Sequence, residues 1–278
     1  MPHLPRQVTR ATALAFAALA VPAFAFAAQA APAPARSFTP WDKAPGMPPP
    51  VTPELLEIGG RVFRGACLGC HGEKGNGEGR EGKLLQIPPR DFTQGAFISR
   101  STPSGSLPLD TDLFRSIRHG FKPAIGMPAF NFLSDREVWA VIAHLKTFSE
   151  RWKTEQVPPP VEAPPAPPRT AAAVKAGAEV YKATGCAFCH GEKGLADGSS
   201  APSLTYDSGK PVVPANFTKL ADFKCGNRPE DIFRTITAGM DGTPMPTFAE
   251  ALTIEQRWQI VYFIQSLGEG AAQVAINR

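Results

Sequence analysis

The chain has 278 residues, with 29 Lys plus Arg against 25 Asp plus Glu and a formal charge of +4. So even a balance excludes a nucleic-acid binder working through a basic surface. Apolar residues make up 43% of the chain, enough for packed cores. The 30 prolines, about 11% where about 5% is usual, exclude a single uninterrupted bundle or one large sheet, because proline breaks both hydrogen-bond ladders.

Residues 1–30 open with Arg6 and Arg10 and no acid, then an uncharged run from Ala11 to Ala28, then small residues at alternating positions (Ala25-Phe26-Ala27, Ala28-Gln29-Ala30). This is the grammar of a secretory signal peptide. Cleavage is the expected outcome, and an uncleaved anchor is the minor alternative, disfavoured by Pro22. No other segment is apolar enough to span a bilayer, so after cleavage the expectation is an exported protein without a membrane span. Residues 31–53 hold eight prolines and read as a solvated leader. Thr52 caps a helix with Pro53 at its first position, running to about Ala66. Asp110 starts a short helix carrying Phe114 and Ile117. Ser134-Asp135-Arg136-Glu137 is a capping box before Val138, Ile142, Leu145 and Phe148.

Residues 153–169 include seven prolines and read as a spacer of polyproline II character. Thr170 starts the next helix, through Val174, Ala178 and Tyr181. Pro229 opens a short helix with Phe233 and Ile236, and Thr253 to Gln256 form a cap before Trp258, Val261, Tyr262 and Leu267. No convincing alternating strand appears. The expected division is therefore a domain at 54–152, the linker at 153–169, a second domain at 170–270 and a tail at 271–278.

The two blocks repeat one another. Cys67-Leu68-Gly69-Cys70-His71 recurs as Cys186-Ala187-Phe188-Cys189-His190, and Leu113 to Ile117 recurs as Ile232 to Ile236, both at an offset of 119. Met127-Pro128 matches Met245-Pro246 and Trp139 matches Trp258. Phe92-Thr93 matches Phe217-Thr218 at an offset of 125, so the second copy has six extra residues before that pair and about seven fewer after it.

C-x-x-C-H marks attachment of a c-type haem. Two thiols one helical turn apart can add to the two vinyl groups of one porphyrin, and the following histidine then lies under the iron. A zinc site would need a fourth ligand, and a thioredoxin-type pair needs a βαβ setting that is missing here. Two covalently attached haem c groups are expected, on Cys67 and Cys70 and on Cys186 and Cys189, with His71 and His190 as iron ligands. The other axial ligand has to come from elsewhere in each block. Met127 lies 56 residues after His71, and Met245 lies 55 after His190. Both sit before a proline whose stiffness would hold a thioether in place. His/Met ligation raises the reduction potential.

His119, His144 and Met240 are weaker ligand candidates because the other copy lacks them. The odd fifth cysteine, Cys225, reads either as a small buried hydrophobe or as a thiolate ligand. Of Arg90, Arg100, Arg115 and Arg234, only the pair Arg115/Arg234 repeats; it could meet haem propionates, and the other two read as solvated surface charge.

These motifs resemble the class I cytochrome c family in its tandem two-haem bacterial form. The resemblance covers roughly residues 54–150 and 171–268 and includes Gly59/Phe63 and Gly177/Tyr181 on the first helix of each block. It implies an all-α fold of two tandem cytochrome c-like domains joined by the Pro-rich linker. It also implies one-electron transport in the bacterial periplasm, between redox partner proteins that dock transiently, rather than an enzyme. A dihaem oxidoreductase of the peroxidase or sulfur-compound dehydrogenase type is the alternative, as is a cytochrome subunit of a larger oxidoreductase complex. The proline spacer argues against a fixed packing of one domain on the other.

Overall fold

A computed structural model describes residues 46–121 and 126–276. The export segment and residues 31–45 of the leader lie outside the described residues. Among the described residues the chain is helical, with one isolated antiparallel bridge between Thr205 and Pro211.

In the first copy, helix α1 (Pro53–Val62) begins where Thr52 Oγ1 accepts from the Leu55 amide at 3.2 Å. It passes through a π-helical turn (Phe63–Cys67) straight into α2 (Leu68–His71), which carries the second cysteine and the histidine. Helices α3 (Asp110–His119), α4 (Asp135–Lys146) and α5 (Arg151–Thr154) follow. The second copy repeats this plan with α6 (Ala171–Ala183), α7 (Cys186–His190), α8 (Pro229–Ala238) and α9 (Ile254–Ile276). Its cysteine helix is entered differently. Gly185, at φ +78°, breaks the chain between α6 and α7, where the first copy absorbs the same change of direction in the π turn. The capping boxes are as the sequence implies: Ser134 and Glu137 bond reciprocally, as do Thr253 and Gln256.

In each copy the first helix crosses the last, α1 on α4 and α6 on α9. The crossing is backbone to backbone. A Cβ at Gly59 would lie 2.1 Å from the Ala140 carbonyl oxygen, and one at Gly177 would lie 1.9 Å from that of Gln259. Around each crossing is an apolar core: Phe63, Phe92, Phe114, Trp139 and Ile142 in one copy, Tyr181, Phe217, Phe233, Trp258 and Ile260 in the other. Phe114 packs on Trp139 with ring centres 4.5 Å apart, and Phe233 on Trp258 at 4.7 Å. Each such buried side chain contributes about 1.5–3 kcal/mol. A block of about a hundred residues still has a thin core, so a prosthetic group fixed inside it adds apolar contact the chain lacks.

The two copies belong to one compact unit of chain and pack on each other, which corrects the expectation drawn from the spacer. The linker lies along the joint. The Val161 amide donates to Ser101 O at 2.7 Å, Arg234 Nε donates to Val161 O at 3.2 Å, and Tyr262 donates its hydroxyl to Pro167 O. Arg169 forms a two-pronged pair with Glu269, both contacts at 2.7 Å. Proline keeps this strand extended, and the strand is tied down at intervals. Two expected boundaries also shift: α5 runs across the 152/153 division, and α9 continues to Ile276 through what reads as a separate tail.

The length differences between the copies lie at the joint. The extra residues of the second copy form the small loop closed by the Thr205–Pro211 bridge, whose Tyr206 and Asp207 lie close enough to Arg90 of the first copy to favour its charge. The longer stretch of the first copy is the loop through Arg100 and Gly105, which reaches across to Asp241. Arg100 is fully buried there, not solvated as expected from the sequence.

Candidate functional site: two cysteine, histidine and methionine pockets

Each C-x-x-C-H histidine is fixed by the same two contacts. His71 Nδ1 lies 2.9 Å from Arg90 O, and His190 Nδ1 lies 3.0 Å from Ala215 O. A carbonyl can only accept, so Nδ1 carries the proton and Nε2 keeps its lone pair for a metal. Phe92 stacks on His71 with ring centres 4.3 Å apart and 21° between planes; Phe217 does the same to His190 at 4.4 Å and 21°. That explains why Phe-Thr recurs in the sequence. The Phe is the platform. The Thr amide bonds the preceding Asp91 or Asn216 side chain at 2.8 and 2.9 Å, fixing the turn. Burial lowers the pKa of both histidines, which favours the neutral, ligating imidazole.

The methionines sit on matched loops. Phe121 N donates to Met127 O at 2.7 Å, and Met240 N to Met245 O at 3.1 Å. The loops are hung back on the preceding helices by Phe130 N to Ile117 O and Phe248 N to Ile236 O. In the first copy, Met127 and Cys67 pack against the same apolar core; residues 122–125 of that loop lie outside the described residues. In the second copy, Cys186, Cys189, His190 and Met245 line one cleft of about 330 Å³, otherwise walled mainly by apolar side chains such as Tyr181, Val212, Phe217 and Ile232.

This donor set fits a c-type haem. There is an apolar slot, a histidine with one nitrogen committed to a carbonyl, a thioether, and two thiols unpaired with each other. Burial raises the pKa of Cys67 to about 11 and moves Cys186 in the same direction, so these side chains are neutral thiols rather than thiolates. Among the described residues, no group of three His, Cys, Asp or Glu side chains could hold a free metal ion.

The weaker candidates fall elsewhere. His144 packs between Phe63 and Phe148, each ring centre 5.3 Å away, in the crossing of α1 and α4. His119 ends α3. Met240 does line the second cleft beside Met245. Cys225 lines it too, with Sγ 3.8 Å from Ile98 O of the first copy, and burial raises its thiol pKa, so it sits at the joint as a neutral thiol. The repeated pair Asp112/Asp231 is a feature the motif reading passes over. Both are buried to 1% exposure, and Asp112 Oδ2 accepts from Ser101 N and Leu109 N at 2.9 and 3.0 Å. Arg115 and Arg234 lie with these acids at the joint: Asp112 and Asp231 favour the charge of Arg115, and Arg234 Nη1 is 3.4 Å from Asp231.

Two helical copies, each with a thiol pair, a carbonyl-bound histidine and a methionine loop, define a tandem class I cytochrome c, an electron-transfer protein with covalently bound haem c. The family described as cytochrome c oxidase, cbb3-type, subunit III matches residues 54–145 and again 172–264, and the chain belongs to that family. The FixP subunit of cbb3-type cytochrome c oxidase from Sinorhizobium medicae (strain WSM419) is 34% identical over 109 residues, and that from Rhizobium meliloti (strain 1021) is 32% identical. These matches cover 36% of this chain and 32% of the relatives' own length. A chain of the Kuenenia stuttgartiensis reducing HAO-like protein complex has a TM-score of 0.73 at 37% identity, over 81% of this chain and 99% of that one. Among the described residues no helix is long and apolar enough to cross a membrane.

Proposed function

We propose that this protein carries single electrons between redox partners in the periplasm, with both irons held from two sides by protein. Cys67 and Cys70, and Cys186 and Cys189, are the thioether attachments. His71 with Met127, and His190 with Met245, would hold the two irons. The observation that carries this reading is the twin arrangement in which each histidine spends Nδ1 on a carbonyl and each methionine stands on a proline-stiffened loop. When bound, the haem supplies an iron that takes up and gives back one electron. The chain keeps that iron's surroundings nearly constant: the carbonyl and the Phe platform hold the imidazole plane, the loop holds the thioether, and the apolar wall excludes water. With a histidine and a methionine both given to each iron, no position would be left for a substrate, which favours a carrier over a peroxidase or a sulfur-compound dehydrogenase. The signal grammar of residues 1–30 supports export. Partner contacts of a carrier are small and brief.

A second reading is a cytochrome subunit docked on a larger oxidoreductase. It is favoured by the FixP relatives, named as oxidase subunits, and by the solved relative, named as part of a complex. Both readings share the coordination, which optical spectra of the purified protein with carbon monoxide and with hydrogen peroxide test. The expected result is low-spin iron in both copies, no shift on adding carbon monoxide and no peroxide turnover. A high-spin fraction that binds carbon monoxide or consumes peroxide would overturn it in favour of an enzyme. Size-exclusion of the native protein from its source separates carrier from subunit.

A further inference from the structure

The loop bearing Met245 is held from outside its own copy. Asp241 lies in that loop, between Met240 and Met245, and the partners of its carboxylate come from the first copy. Arg100 Nε donates to it at 2.6 Å and Arg100 Nη2 also donates. Ser104 Oγ donates at 3.2 Å and the Gly105 amide at 3.1 Å. The Arg100 side chain is 0% exposed and makes two further bonds, Nη1 on Thr102 O at 2.6 Å and Nη2 on Ala238 O at 3.1 Å. A buried, two-pronged guanidinium with four hydrogen bonds is a rigid fixture, and lysine cannot reproduce its fork.

A second arginine acts on the next residue of the loop. A Cβ at Gly242 would lie 2.5 Å from Arg90 Nη1, so the guanidinium occupies the space above that turn. Tyr206, Asp207, Asp91 and Asp241 lie close enough to favour its charge. The backbone of the same residue supplies the carbonyl that orients His71. One residue thus touches the histidine of the first site and the methionine loop of the second.

We propose that Arg100 and Arg90 are positioning residues for the axial methionine of the second haem, so that the first copy sets the coordination and the potential of the second. The inference rests on Met245 being an iron ligand. Its own loop bonds, Met240 N to Met245 O and Met245 N to Thr243 Oγ1, close the loop but leave the Asp241 carboxylate to the first copy. Releasing that carboxylate frees the loop to move away from the iron. A longer or lost sulfur–iron bond lowers the potential.

The test is a potentiometric titration, with the methionine-to-iron charge-transfer band recorded alongside, on full-length Arg100→Gln and Asp241→Asn proteins. Positioning predicts that both variants lower one of the two potentials and leave the other in place, and that both lose up to half of the band. A purely electrostatic role predicts opposite shifts, because one change removes a positive charge and the other a negative one; that result overturns the proposal. So do two unmoved potentials, or two that move together. In a Met127→Ala background the remaining band reports the second site alone, and Arg100→Gln should abolish most of it. If Arg100→Gln fails to fold, Arg100→Lys and Ser104→Ala carry the same test, with a partial loss expected for each and an unchanged second-site band counting against the proposal. Met245→Ala by itself separates the two claims: if it leaves the full band, the ligand assignment fails rather than the clamp.

Discussion

A histidine ligand needs its ring plane and its tautomer fixed before it meets a metal, and here a carbonyl and a phenyl face do both. The His side of each site was legible in the sequence because C-x-x-C-H fixes which residues must converge. The carbonyl acceptors were not, since Arg90 and Ala215 contribute backbone, and backbone contacts leave no residue signature. Asp112 and Asp231 were missed for another reason. They stand in the same repeat frame as Leu113 and Ile232, but a lone acid at a helix start reads as a solvated cap. Both are buried, and burial raises the pKa of each from the ordinary 3.8 to about 6. The folded state therefore holds these protons more tightly than the unfolded chain. Their contribution to stability is complete below about pH 4 and is lost as the pH rises through about 6. Asp112→Asn should flatten the slope of stability between those values, by an amount on the order of 2 kcal/mol. Urea midpoints at several pH values measure it, and an unchanged slope would mean that Asp112 ionises freely.

At the scale of elements, periodicity and capping located the helices well. Thr52, Ser134, Thr170 and Thr253 all stand at helix starts. The change of direction into the cysteine helix was less visible, because one copy makes it with a left-handed glycine and the other with a π turn. The crossing glycines are the sharpest constraint on packing. At Gly177 the built Cβ meets the Gln259 carbonyl at 1.9 Å, and at Gly59 it meets that of Ala140 at 2.1 Å, distances no side chain occupies. Gly177→Ala must separate α6 from α9 and disturb the core around Trp258. We expect a loss of about 1–3 kcal/mol or more, the cost of overpacking, despite alanine's better helix propensity. Thermal melts of Gly177→Ala and Gly59→Ala check this, and melting points at or above wild type would show that the helices can slide apart freely.

For the molecule as a whole, duplication was legible from fixed offsets, and the two all-α copies follow from it. How the copies meet was not. A seven-proline stretch reads as a spacer on composition alone, yet its carbonyls and amides are taken up by Ser101, Arg234 and Tyr262. The insertion in one copy and the longer loop in the other read as ordinary loop variation, and both turn out to build the joint. Arg100 likewise reads as surface charge until its partner, 141 residues away, is seen. Local pattern encodes each copy, whereas the interface depends on pairings between distant residues that no repeat or period marks.

The account stands on two haems stitched to four named cysteines. Intact-protein mass spectrometry of the chain expressed with haem-maturation machinery tests this most directly. The wild type should exceed its polypeptide mass by two haems, and the Cys67→Ala/Cys70→Ala and Cys186→Ala/Cys189→Ala variants should each carry one fewer. A wild-type mass without two haems, or a double-cysteine variant that keeps both, would contradict it.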